Sequence, residues 1–492
     1  LAEFWPRQDM VLKFSLSSHL VEHTKLVGTM KKILLLCLLF CHVWSLNADV
    51  VVNPSLSKGP IKMMNAVNNG PVNPGKDQVR GNFQSYKDCK IPYARTHDAS
   101  FSSAYGGEHS VDITAIFPDF SKDANSPDSY DFTMTDQYLL TIHEAGTGIF
   151  FRLGQKIEHG VKKYGVMPPA DFKKWAEICE HVIRHYNEGW ANGTKGGNIE
   201  YWEIWNEPDL DWASGGWKTN PRTWGGTQQQ FFELYETAAK HLKKCFPDLK
   251  IGGPALAFDE KWADEFLAYM SAHHVALDFF SWHIYAMYPE DMVLKARHIH
   301  QLLEKYGYAK TESILNEWNY VKGWTDEFLY TSQTMTGMKG GAFIAAVINA
   351  CQSQPVDMLM YYDARPGTVF NGLFDFVTYA PLEGYYALYA WSKLRALGTQ
   401  VEATSSEKDV WVTAASDGKG RTSVFVSRYN EDNNVTAKKP VKVKVNGLKT
   451  DAELTGHLTD SFHKYTETPL AAKDGIIECL LEPNAFMMID IR

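Results

Sequence analysis

Between residues 61 and 395 the chain alternates short β-like runs with amphipathic stretches of helical period, and few folds accommodate that alternation. The β-like runs fall at 62–67, 92–96, 148–153, 199–205, 249–252, 277–284, 313–315 and 357–361. Helical patterns separate them, among them 171–186, 228–245, 261–271 and 292–306. Eight strands, each followed by a helix, predict an α/β fold: a (β/α)8 TIM barrel whose loops after the strands carry the active site. Beyond residue 398 the pattern changes to short strand-like runs at 410–414, 422–427, 441–445, 454–458, 475–481 and 485–489, separated by turns rich in Gly, Asn and Asp. This predicts a C-terminal β-sandwich domain. The expected division is a catalytic barrel over 60–397 and a sandwich over 398–492, with residues 49–59 contributing a strand to the latter.

Two glutamates carry the chemistry. Glu207 in YWEIWNEPD and Glu317 in SILNEWNY each follow an Asn at the end of an apolar run, the fourth and the seventh. In a barrel both ends open on one face. A retaining glycosidase needs such a pair about 5–5.5 Å apart, one to protonate the departing sugar oxygen and one to attack the anomeric carbon. The acid partner must hold its proton near neutral pH, whereas the nucleophile must stay ionised among donors. Arg95, ending the second run in YARTHDA, is placed to supply a cation near Glu317, and Tyr285 in SWHIYAMY to donate its hydroxyl to the same carboxylate. Asn206 suits the sugar 2-hydroxyl. His97, Asp98 and His283 also fall at strand ends and suit a hydroxyl-rich ligand. Trp318, Tyr361 and Tyr362 are candidate sugar platforms, while Trp202 and Trp282 read as core.

No cofactor is implied. The HExxH signature is absent, so His97, His283 and Glu317 are not read as metal ligands, and no GxSxG elbow or phosphate-binding glycine loop follows a strand. A net charge of −9 without a basic patch argues against nucleic acid as a partner. Met30-Lys31-Lys32 followed by an apolar run over 33–40 reads as a secretory signal over 30–48, with 1–29 as an upstream leader, so the chain is expected to be exported, periplasmic or secreted, with no membrane contact after cleavage. Cys37 and Cys41 lie in that run. The five further cysteines lack metal or disulfide spacing and read as buried thiols. Oligomeric state has no signature in the sequence.

YWEIWNEPD resembles the acid/base motif of clan A glycoside hydrolases and is most similar to family 39, which holds β-xylosidases and α-L-iduronidases. MNAVNNGP at the first run, ARTHDA at the second and ILNEWNY at the seventh extend the resemblance over most of 60–395. The trailing β-sandwich is also typical of that family. The resemblance implies Glu207 as general acid/base, Glu317 as nucleophile and net retention, with Arg95-Thr96-His97 matching the family's Arg-x-His. Iduronidases need basic groups for the uronate carboxylate, and here only Arg365 offers itself. A neutral sugar is therefore favoured: an exo-acting β-xylosidase on plant cell-wall β-1,4-xylo-oligosaccharides. An endo-acting xylanase or glucanase of the clan and a catalytically inactive carbohydrate-binding barrel are the alternatives; in each the partner is an oligo- or polysaccharide.

Overall fold

Eight parallel strands close into a barrel in the computed structural model, which describes residues 48–73, 80–97, 109–194 and 198–492. The expected leader and all of the expected signal except Ala48 lie outside the described residues, as does Asp98. Strand β1 is Val50–Pro60, and the barrel staves are β2 (Met63–Asn68), β3 (Tyr93–Arg95), β4 (Gly148–Leu153), β5 (Tyr201–Ile204), β6 (Lys250–Leu256), β7 (Phe279–Ala286), β8 (Glu312–Tyr320) and β9 (Met358–Tyr361). They pair in sequence order, with β9 returning to β2.

The staves are short because each contributes only a few inward positions. Ala66, Phe150, Tyr201, Phe279, Ile314, Met358 and Met360 fill the lower interior as one apolar cluster. Above it, toward the C-terminal ends, the inward positions turn polar: Asn68, Arg95, Glu203, Ser281, Asn316 and Glu317 are all buried. A barrel interior filled by stacked side-chain layers is a packed core, so this polar layer is the floor of a site at the strand C-termini.

Two strands outrun their sequence patterns. β8 continues through Glu317 to Tyr320 and β7 through Tyr285 to Ala286, so Glu317 sits inside a strand rather than closing one. The pairing register slips at Asn316: Trp282 faces Leu315, whereas the next residue, His283, faces Glu317. This single extra residue turns both Asn316 and Glu317 inward, as a bulge does beside many active sites.

The remaining strands form one ten-stranded sheet: β10 (Thr399–Ser405), β11 (Val410–Ser416), β12 (Thr422–Arg428), β13 (Lys439–Val445), β14 (Leu454–Thr459), β15 (Thr466–Pro469), β16 (Ala472–Lys473), β17 (Ile476–Leu481), β18 (Ala485–Ile491) and, from before the barrel, β1. β1 lies between β10, to which it is antiparallel, and β13, to which it is parallel. The sheet curls so that Val50, Val52, Val401, Val424, Val443, Ile477 and Met487 meet in one core, the double layer expected of a sandwich. Its other face packs on the barrel through helices Met338–Cys351 and Glu383–Arg395, with Trp391, Phe425, Tyr429 and Phe486 in the shared core. The first of these helices is apolar all round because it is covered on both sides.

Candidate active site

Above the polar layer opens a cleft of about 640 Å³ that both glutamates line. Glu207 follows β5 in a left-handed backbone conformation, φ 49°, two residues after Trp205 at φ 75°. Neither residue is glycine, so the surrounding structure must impose this strained turn. It does so with bonds on several sides. The Trp205 amide donates to the Leu153 carbonyl at 2.7 Å, the Glu207 amide to that of Ala255 at 2.9 Å, and the Thr223 hydroxyl to the Glu207 carbonyl at 2.6 Å. Asp209, buried two residues on, accepts from the backbone N–H groups of Ala257, Phe258 and Asp259 at 2.8, 2.9 and 2.9 Å. Burial nevertheless pushes its carboxyl up, since desolvation outweighs the three donors.

Glu317 is held by four groups. Arg95 Nη1 donates to Oε1 at 2.7 Å and His97 Nε2 lies 3.0 Å from the same oxygen. The Tyr285 hydroxyl donates to Oε2 at 2.8 Å, and His283 Nδ1 stands 3.5 Å from it. Burial alone raises a carboxyl, but the imidazoles of His283 and His97 and the Arg95 guanidinium outweigh it and hold Glu317 well below the ordinary carboxylate range. Tyr285 moves the other way: burial and then the Glu317 charge push its phenol well up, so it stays a donor. His283 also bridges to the partner carboxylate, with Nδ1 2.9 Å from Glu207 Oε1. One oxygen of Glu207, one of Glu317 and a ring nitrogen of His283 all fall within 4.8 Å of one another. The same three atoms are the site's one candidate cation-binding set among the described residues, but Arg95 and His97 already bring positive charge to Glu317.

Not every residue singled out in the sequence meets the cleft. Asn206, His97 and Tyr285 line it, as does Tyr362. The Asn206 Oδ1 accepts from Arg95 Nη2 at 2.6 Å, which leaves its buried Nδ2 without a protein partner among the described residues. Arg95 and His283 are fully buried beneath the cleft and act on the carboxylates rather than on a sugar. Trp318 does not reach the cleft. Strand alternation after the bulge turns it outward, where it packs edge-on to Tyr361 at 5.4 Å and against Phe343 of the covering helix. Tyr361 is likewise buried, its hydroxyl on Asn319. Arg365 pairs with Asp363 at 3.6 Å and is not among the cleft residues. The aromatic wall is instead Tyr285, Trp324, Phe328 and Phe370, with Trp324 58% exposed at the rim.

The residue that sequence reading passed over is Glu203. Its Oε2 takes Arg95 Nε at 2.6 Å, and its Oε1 takes the Ser281 hydroxyl and Asn316 Nδ2, each at 2.6 Å. Arg95 is thus a bridge between Glu203 and Glu317, and Asn68 Oδ1 takes a further bond from it at 3.1 Å. The signal was present: Glu203 occupies an inward position of the otherwise apolar Tyr201–Ile204, where a charge must be paired.

A closed barrel with a buried, donor-ringed carboxylate and a second carboxylate across a cleft defines the clan of barrel glycoside hydrolases. The chain belongs to glycosyl hydrolases family 39, whose profile matches residues 95–359. It is 29% identical over 174 residues to a beta-xylosidase of Caldicellulosiruptor saccharolyticus, covering 33% of this chain and 32% of that relative. It is 33% identical over 124 residues to a beta-xylosidase of Geobacillus stearothermophilus, covering 25% of this chain and 22% of the relative. The matched part thus spans a third or less of each. In fold, the chain is similar to a glucosidase from Croceicoccus marinus, with a TM-score of 0.71 at 20% identity over 90% of this chain and 98% of the other. A monomeric beta-xylosidase from Caulobacter crescentus CB15 gives 0.65 at 17% identity over 90% and 99%.

Proposed function

We propose that the chain is an exported retaining glycoside hydrolase acting on plant cell-wall xylan, and specifically an exo-acting β-xylosidase. The observation that carries this reading is the carboxylate pair: oxygens of Glu207 and Glu317 lie within 4.8 Å in one cleft, near the separation of about 5–5.5 Å that retaining enzymes use and short of the roughly 6.5–9.5 Å that leaves room for an inverting water. The names of the two partial relatives favour xylose as the glycone.

Glu317, ionised and oriented by Arg95, His97 and Tyr285, attacks the anomeric carbon. Protonated Glu207 gives its proton to the glycosidic oxygen as the carbon–oxygen bond breaks, and the aglycone leaves as an alcohol. Water then attacks the glycosyl ester while the Glu207 carboxylate takes its proton, and Glu317 departs unchanged. Asn206 Nδ2, which has no partner among the described residues, donates to the sugar 2-hydroxyl, a bond that strengthens at the transition state.

Hydrolysis of aryl glycosides by the chain lacking residues 1–48 tests this. The β-xyloside is expected to turn over faster than the β-glucoside, β-galactoside, α-L-arabinoside and α-L-iduronide, with β-xylose as the first anomer seen by proton NMR. First release of α-xylose would overturn the double displacement. Turnover of another glycoside alone would replace xylose, and silence on all five with cleavage of polymeric xylan would replace exo by endo action.

A further inference from the structure

On the outer ring of helices a second cluster of ligand-type side chains converges, and the hydrolytic mechanism has no use for it. Helices Phe172–Asn187 and Gln228–Cys245 pack side by side after β4 and β5. His241 and Cys245, one turn apart on the second helix, share a face, and Glu180 of the first helix points at them. His241 Nε2 lies 2.6 Å from Glu180 Oε2 and 3.9 Å from Cys245 Sγ. One donor atom from each of the three falls within 4.8 Å of the others. The second helix ends just before β6 begins, so this cluster belongs to the barrel end opposite the cleft.

We propose that Glu180, His241 and Cys245 form a binding site for a zinc-class divalent cation, with water completing the shell, that clamps the two helices together. A tetrahedral shell of bonds about 2.0–2.3 Å long sets its donors roughly 3.3–3.8 Å apart, so the thiol at 3.9 Å from His241 must draw in slightly and the carboxylate at 2.6 Å must back away by about 0.7 Å. Thiolate, imidazole and carboxylate together select zinc over calcium or magnesium, which take oxygen shells.

The surroundings suit an ion. Arg184 Nε donates to Glu180 Oε1 at 2.7 Å, which turns the other carboxylate oxygen toward His241 and Cys245. The guanidinium is itself fixed over the Phe246 ring at 5.1 Å and paired with Glu188. Such outer partners orient ligands and tune affinity. A cysteine thiolate, Glu180 and Glu188 balance a dication and Arg184 in charge. Cys245 is also the described cysteine that is not buried, and the side chains of His241 and Glu180 are 30% and 14% exposed, so an ion can enter.

Titration of the chelator-stripped full chain with zinc chloride, followed by calorimetry, tests the site. One ion per chain is expected, with cobalt(II) in its place giving a thiolate charge-transfer band. His241→Ala and Cys245→Ser each weaken zinc binding by at least about tenfold, and Cys245→Ser abolishes the band. Thermal unfolding without metal, compared across the variants, separates loss of a ligand from loss of the fold. Zinc bound equally by wild type and variants overturns the proposal, and hydrolysis lost in step with that binding would place the ion at Glu207, His283 and Glu317 instead. The stoichiometry, the cobalt band and the affinities of the variants are read without glycosidase activity, so they stand whatever the substrate proves to be.

Discussion

At the residue scale, the two glutamates are distinguished by what surrounds them. Glu317 collects a guanidinium, two imidazoles and a phenol, whereas the Glu207 carboxylate meets the ring of His283. Glu317→Gln is therefore expected to cut kcat by roughly 10³-fold or more while sugar binding, read by calorimetry, survives. Near-wild-type turnover would remove Glu317 from the nucleophile's role. Glu207→Ala should lose far less activity on aryl glycosides with acidic phenols than on xylobiose, because a good leaving group departs without a proton. Equal losses on both would count against Glu207 as the acid. The sign of the Glu317 shift adds a pH dependence. Its folded-state carboxyl is depressed below the ordinary 4.5, so its stabilising charge is fully present above that value and is lost only as pH falls through the lower folded one. The acidic limb of kcat/KM should accordingly lie below pH 4.5, and Tyr285→Phe, which removes a donor, should move it upward. Motif and strand-end reasoning reached Glu207, Glu317, Arg95 and Tyr285 because their neighbours are spelled out nearby in the chain. It misplaced Trp318 because one bulge at Asn316 decides which way the next residues face, and no local pattern announces a bulge.

At the element scale, the site depends on how the loop after β5 is anchored. Asp209 ties that loop to the backbone of the loop after β6, and Arg222 closes its far side on Asp211 with bonds of 2.8 and 2.6 Å. Asp209→Ala leaves three backbone donors without their acceptor, two of them partly covered, and should cost about 2–4 kcal/mol in urea unfolding. It should also lower kcat on aryl xylosides through a misplaced Glu207. An unchanged midpoint and an unchanged kcat would show that the loop holds itself. The four long helices were legible from their period because each buries one stripe. Helix Met338–Cys351 was not, since a helix covered on both sides has no polar face to set a period. β8 read as three residues and is nine, because its second half carries Asn and Glu that only the barrel interior can satisfy.

At the scale of the molecule, barrel and sheet share a core. Phe425 meets Phe486 of the same sheet edge-on at 5.8 Å and, across the seam, Trp391 of the barrel helix at 6.4 Å. Phe425→Ala should cost about 3–5 kcal/mol, and far-UV and tryptophan signals should still fall together in one denaturant transition. Two separated transitions would mean that the seam is not shared. The sheet also has a consequence for the order in which the chain is made. β1 fills the gap between β10 and β13, with Pro60 opposite Thr399 and Val52 opposite Val445, so the earliest described strand finds its partners only after the whole barrel has been synthesised. At about 5–20 residues per second, β1 waits on the order of tens of seconds with both edges open. The half-made protein therefore carries an unpaired Val-Val-Val segment, Val50 to Val52, through most of its time on the ribosome. Such a segment invites aggregation, and the fold offers it no cover until β10 and β13 emerge.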